Sequence, residues 1–148
     1  MEKKIKVLVA KPGLDGHEMG ARLITRCLMD AGMEVVYTGT RQTPEMVVAA
    51  ALQEDVDLVA LSFLSGSHKE LTKEVVRLMK EKGLEDAALM VGGIIPVKDI
   101  EFLKSLGVFA VMGPGSDTRM ITQTVLDAIR QKKGAGGSKS EWDADKRR

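Results

Sequence analysis

The sequence predicts an α/β domain in which five parallel strands are covered by helices on both faces. Three observations predict it. Five apolar runs, at residues 5–10, 34–39, 56–63, 87–93 and 108–113, alternate with five helix-like stretches. Such alternation with short connections produces a parallel sheet with right-handed crossovers. Two of the runs, VDLVALSF and AALMVGG, are apolar almost throughout, as strands buried on both faces must be. The length of 148 residues suits one domain. Five strands connected in this way fit a three-layer, flavodoxin-like (Rossmann-like) arrangement with strand order 2-1-3-4-5.

The elements follow in order. After the first run, a 3.6-residue period sets Gly20, Leu23, Ile24, Cys27, Leu28 and Ala31 on one helical face, with Arg22, Arg26 and Asp30 elsewhere. After the second run, Thr43 precedes Pro44, an N-cap followed by proline at the first helical position. Ser67 with Glu70 has the spacing of a capping box and starts the third helix. In the fifth helix Ile121, Val125 and Ile129 share a face opposed to Asp127 and Arg130. The domain is expected to span residues 1–132. The remainder, 133–148, lacks periodicity and is rich in glycine and charge, so a disordered C-terminal tail is expected there. Trp142 lies in it, as part of an unstructured end or as an anchor for a partner surface.

Composition excludes several classes. Twenty-two basic against 21 acidic residues leave a net charge of +1, which argues against a dedicated nucleic-acid or anionic-membrane binder. Aromatic residues are 3%, too few for a base-stacking platform. No apolar run approaches membrane-spanning length, and the start MEKKIKVLVAK lacks a signal-peptide body. A single cysteine, Cys27, precludes an internal disulfide and suggests a reducing, cytoplasmic setting. Two histidines and one cysteine cannot furnish a four-ligand zinc site of His and Cys.

Ligands of such sheets bind outside the carboxyl ends of the strands, so the loops at 11–20, 62–67, 92–96 and 113–117 carry the chemistry. The first reads KPGLDGHEMG. Its glycines have the wrong spacing for a dinucleotide turn, and no Gly-Lys-Ser/Thr follows for a phosphate loop. A phospho-receiver would place an aspartate at the third strand's end, where this chain has Ser62, Phe63 and Leu64. What remains is Asp15 and His17. An extended Asp-Gly-His can set the carboxylate against one ring nitrogen, leaving the other free to ligate a metal, with Lys11 pairing to Asp15. The alternative is that Asp15 and Gly16 make a turn and His17 merely starts a helix. Gly66, Gly92, Gly93, Gly113 and Gly115, with Ser62, strip the carboxyl edge of side chains, as in a slot for a long, thin ligand or in ordinary turns.

Asp15-Gly16-His17-Glu18-Met19-Gly20 matches the DxHxxG signature of cobalamin-binding domains, and Ser62-Phe63-Leu64 and Gly92-Gly93 match the later SxL and GG elements. The flanking words KPGLDGHEMGARLI, GTRQTPE, FLSGSHKEL, VGGIIP and VMGPGS resemble the carboxyl-terminal cobalamin domain of methylmalonyl-CoA mutase and its separate small-subunit relatives. The likeness covers residues 5–129. It implies adenosylcobalamin as cofactor, with His17 replacing the cofactor's own dimethylbenzimidazole as lower cobalt ligand and Asp15 and Lys11 forming a relay behind it. It also implies a nucleotide tail in a slot bordered by Ser62, Leu64, Gly66, Gly92, Gly93, Gly113 and Gly115. Ser62 would bond the tail and Leu64 would touch its ring; Met19 would touch the corrin. Where the family commonly has GPGT, this chain has Gly113-Pro114-Gly115-Ser116, which keeps the hydroxyl.

The resemblance further implies a non-autonomous isomerase subunit. Acyl-CoA mutases rearrange their substrate in a TIM barrel, which this chain does not contain, so a large barrel subunit is the expected partner. The same arrangement serves 2-hydroxyisobutyryl-CoA and isobutyryl-CoA mutases, and the substrate contacts lie in the partner. A corrinoid methyl carrier is the alternative, although such modules usually place a helical cap before the first strand. A glutamate-mutase-like subunit fits the flanking words less well. His68 is expected to contact the corrin edge or to shape the helix start, and Cys27 to belong to the core.

Overall fold

The computed structural model of the protein describes residues 4–13, 18–63, 67–113 and 116–136, the last four by their backbone. The strands are β1 (Lys6–Ala10), β2 (Glu34–Tyr37), β3 (Leu58–Phe63), β4 (Ala88–Gly93) and β5 (Ala110–Met112). The helices are α1 (Met19–Asp30), α2 (Pro44–Glu54), α3 (His68–Glu81), α4 (Val97–Ser105) and α5 (Thr118–Gly136). All pairings are parallel, in the order β2-β1-β3-β4-β5 that alternation predicts. α5 runs four residues beyond the boundary expected at residue 132.

Strand alternation divides the core between two faces. Leu8, Ala10, Val59, Leu61, Phe63, Leu89 and Val91 pack against α2, α3 and α4. Val7, Val9, Leu58, Ala88, Met90 and Met112 pack against α1 and α5, where Ile121, Val125 and Ile129 are buried as their period predicts. By the same parity the side chain of Ser62 and the missing side chain of Gly92 face α1 and α5, whereas Gly93 faces the other layer.

Two local expectations are corrected, at Ser67 and along α1. Thr43 caps α2 through the Met46 amide as its motif requires, at 3.1 Å. Ser67 does not cap α3, because its backbone is left-handed (φ 67°) and an N-cap needs an extended one. The buried stripe of α1 is Ala21 and Leu28, with Ile24 half-buried, while Leu23 is 62% exposed and Gly20 and Ala31 face outward. Periodicity leaves two neighbouring stripes open, and close packing at the methyl group of Ala21 decides between them. Cys27 is half-buried between α1 and α5 and packs at the edge of the core, its Sγ 3.6 Å from the Thr118 carbonyl.

Candidate functional site

The carboxyl ends of β1, β3 and β4 bring Lys11, Ser62 and Gly92 together. Lys11 is 1% exposed, an expensive placement for an ammonium unless it is well solvated by protein groups. Its Nζ donates to the Ser62 carbonyl at 3.2 Å, bridging the first and third strand ends. The stem of the β1–α1 connection is held by its other neighbour as well. Gly13 donates to the Gln42 carbonyl at 2.8 Å, and the Gln42 amide donates to the Lys11 carbonyl at 3.2 Å. Gln42, unnoticed as a contributor in the sequence, thus anchors the loop that carries Asp15 and His17.

Beneath this edge, between the sheet and α1 and α5, lies a small apolar cavity of about 20 Å³. Ser62, Gly92 and Met112 border it, with Ile24 and Leu28 opposite. A Cβ on Gly92 would stand 3.5 Å from the Met112 carbonyl oxygen and 4.0 Å from Ile24 Cδ1, inside ordinary contact distance. The backbone therefore tolerates a side chain at Gly92, and what that side chain would occupy is the cavity. Gly93 is different. Its φ is +118°, and a Cβ there would lie 1.7 Å from the Phe63 carbonyl oxygen, the acceptor of the Ile94 amide. Gly93 serves the close approach of β3 and β4, a backbone requirement independent of any ligand. At Gly113 and Gly20 an added Cβ would meet nothing within 4 Å, and Met19 is 85% exposed, so all three open onto the strand-end surface. Ser116 Oγ donates to the Gly113 carbonyl at 2.8 Å, folding the last loop on itself.

Asp15, Gly16, His17, Leu64, Gly66 and Gly115 lie outside the described residues. Among the described residues, no cluster of three or more His, Cys, Asp or Glu side chains could hold a metal, and no helix is long and apolar enough to cross a membrane. The residue after His17 is described. Glu18 accepts from the Tyr37 hydroxyl at 3.1 Å and from Arg22 Nε at 2.8 Å. Burial, then the Glu18 carboxylate, pushes the Tyr37 phenol up to about 12. Sequence reasoning passed over Tyr37, though it is the chain's one tyrosine and ends a strand at the ligand edge.

His68 belongs to the opposite face. It is buried, its Nε2 is 2.7 Å from Asp99 Oδ2, and its ring meets Phe63 edge-on. The hydrogen bond from His68, then the Lys69 ammonium, holds the Asp99 carboxyl below its ordinary range. This pair clasps the starts of α3 and α4 and lies across the sheet from the cavity. A groove of about 560 Å³ sits at the amino end of the sheet, by Lys80, Leu84 and Lys104, away from the strands' carboxyl ends.

The profile of the B12 binding domain family matches residues 5–122. The 2-hydroxyisobutanoyl-CoA mutase small subunit of Aquincola tertiaricarbonis is 39% identical over 135 residues, covering 91% of this chain and 96% of that one. The pivalyl-CoA mutase small subunit of Xanthobacter autotrophicus is 40% identical over 133 residues, covering 90% and 88%. The methylmalonyl-CoA mutase of Escherichia coli is 37% identical over 87% of this chain, which spans only 18% of that longer protein. Among solved structures, a cobalamin-binding protein of Desulfitobacterium hafniense superimposes with a TM-score of 0.71 at 18% identity, over 89% of this chain and 60% of that one. A receiver domain of Mycobacterium tuberculosis reaches 0.67 at 15% identity, over 87% and 98%. At those identities the likeness is one of fold.

Proposed function

The chain belongs to the B12-binding domain family, and from that premise we propose that it is the cobalamin-carrying small subunit of an acyl-CoA mutase, holding adenosylcobalamin base-off with His17 on cobalt. The observation that carries the reading is the apolar cavity at the carboxyl end of the sheet, lined by Ser62 and walled by Gly92. The residues fit the group. A benzimidazole nucleotide needs a deep apolar wall without side chains and a polar group at its rim, and a Cβ at Gly92 would fill that space. At about 20 Å³ the cavity has a single water's room, so admitting a ring requires lining side chains such as Ile24 to move.

Lys11 bonds the Ser62 carbonyl, joining the ends of β1 and β3; in this reading it is also the last member of the Asp15–His17 relay. Asp15 orients the imidazole by accepting from one ring nitrogen, and a second partner of this kind raises a ligand's basicity. Leu64, Gly66, Gly113, Gly115 and Ser116 complete the slot. When bound, the cofactor supplies radical chemistry for carbon-skeleton isomerisation. The chain holds and orients it; a large TIM-barrel subunit supplies the acyl-CoA site and excludes water and oxidants. Its near-complete overlap with two mutase small subunits supports this division. The choice among methylmalonyl-, 2-hydroxyisobutyryl- and isobutyryl-CoA rests with the partner. The assembly works in the cytoplasm.

The test is electron paramagnetic resonance of the Co(II) protein containing nitrogen-15 histidine. Coupling to a protein nitrogen that His17→Ala abolishes is expected. Coupling from the cofactor's own benzimidazole alone overturns the reading.

A further inference from the structure

The β1–α1 connection is tied down on both sides of the candidate ligand. Upstream, Lys11 and Gly13 are bonded to Ser62 and Gln42. Downstream, the residue that follows His17 is the N-cap of α1, Glu18, which makes no capping bond to its own helix. Its carboxylate is committed sideways instead. Oε1 accepts from the hydroxyl of Tyr37, 19 residues away at the carboxyl end of β2, and from Arg22 Nε one turn along α1. The Arg22 guanidinium also lies 5.6 Å from the centre of the Tyr37 ring, closing a three-residue cluster. An i,i+4 ion pair by itself does little for a protein. The bond from Tyr37 does more, because it joins the exit of the histidine loop to the sheet.

Resting on the cofactor reading above, we propose that Tyr37 is a positioning residue for the cobalt ligand: by holding Glu18, its hydroxyl fixes where the chain leaves the loop for α1, and so governs how completely His17 ligates bound cobalamin. Tyr37 touches neither cofactor nor substrate in this role; it acts through the backbone joining Glu18 to His17. This role also accounts for the acidic residue that follows the histidine. A carboxylate accepts two donors at once, whereas a helix start of ordinary chemistry would spend it on its own amides.

Tyr37→Phe keeps the ring and removes only the hydroxyl. Cobalamin affinity is expected to fall about fivefold, the change that loss of one hydrogen bond of typical net strength produces. The histidine-coupled fraction of the Co(II) resonance should fall with it. The bond is present without cofactor, so the apo-protein should also melt lower, but only by the few degrees that loss of one hydrogen bond without loss of packing gives. The decisive arm is a double-mutant cycle. In a His17→Ala background Tyr37→Phe should have no further effect on affinity. Parental affinity and spectrum in Tyr37→Phe would overturn the proposal. So would a fivefold loss that persists without His17, because Tyr37 would then act on binding directly. If the parent itself shows no protein-nitrogen coupling, the cofactor reading fails, and this inference falls with it for a separately visible reason.

Discussion

Gly92 and Gly93 are neighbours in one strand, and alanine at each should fail in opposite ways. At Gly92 the new Cβ meets the Met112 carbonyl oxygen at 3.5 Å with no backbone strain. Glycine to alanine at a compatible strand position shifts stability by about 0.4–1 kcal/mol, if anything upward. At Gly93 the same methyl group would lie 1.7 Å from the Phe63 carbonyl oxygen, in a left-handed backbone region. The strain of that φ costs about 1–3 kcal/mol. Pushing β3 from β4 also weakens the bond from the Ile94 amide to Phe63, 3.0 Å long, at about 1 kcal/mol more. The expected loss is about 2–4 kcal/mol, or a fall in melting temperature of roughly 8–15 °C for a domain of this size. The assay is thermal unfolding by circular dichroism, paired with cobalamin titration. Gly92→Ala should melt near the parent yet bind cobalamin at least about tenfold more weakly, because one methyl group takes up most of the cavity. Gly93→Ala should melt early. A Gly93→Ala protein as stable as the parent would refute the backbone argument, and a Gly92→Ala or Gly92→Val protein with parental affinity would show that the slot lies elsewhere.

Other outcomes follow from single features. Thr43→Ala removes the cap on the Met46 amide and should cost about 1 kcal/mol, read as a melting temperature lower by a few degrees, with cobalamin affinity unchanged. The Asp99 carboxyl is depressed from its ordinary 3.8 by His68 first and Lys69 next. The unfolded chain therefore binds the proton more readily, so this stabilisation is complete above the ordinary value and is lost as pH falls through the lower folded one. Asp99→Asn should flatten the fall in melting temperature below about pH 4, and an unchanged slope there would remove the pair from the account. The chain alone should not isomerise any acyl-CoA, and should do so with adenosylcobalamin and a barrel subunit, followed by mass spectrometry. Turnover without a partner would overturn the split-enzyme reading, and inactivity with every barrel would favour a carrier role.

The fold was legible because it depends on local pattern. Apolar runs of strand length, alternating with 3.6-residue periods, leave one economical arrangement of layers and, with right-handed crossovers, one common strand order. The Thr43-Pro44 start was legible for the same reason, since a cap and its proline act within one turn. Strand order also brings the ends of β1, β3 and β4 to one edge, where Lys11, Ser62 and Gly92 lie.

What the tertiary structure alone decided is which partner each side chain meets. A sequence records two adjacent glycines at the end of β4 without saying that Gly92 faces a cavity and Gly93 a carbonyl oxygen; strand parity and the approach of Phe63 decide it. It records a histidine at the start of α3, but only the packing of α3 beside α4 sets His68 against Asp99, 31 residues on and across the sheet from the cavity. Tyr37 carried no motif, and Gln42 stood within GTRQTPE with no role attached to it. Their roles arise because β2 lies next to β1, which brings the end of one strand beside the loop that leaves the other. Contacts of this kind depend on distance in space, and periodicity in a chain reports only distance along it.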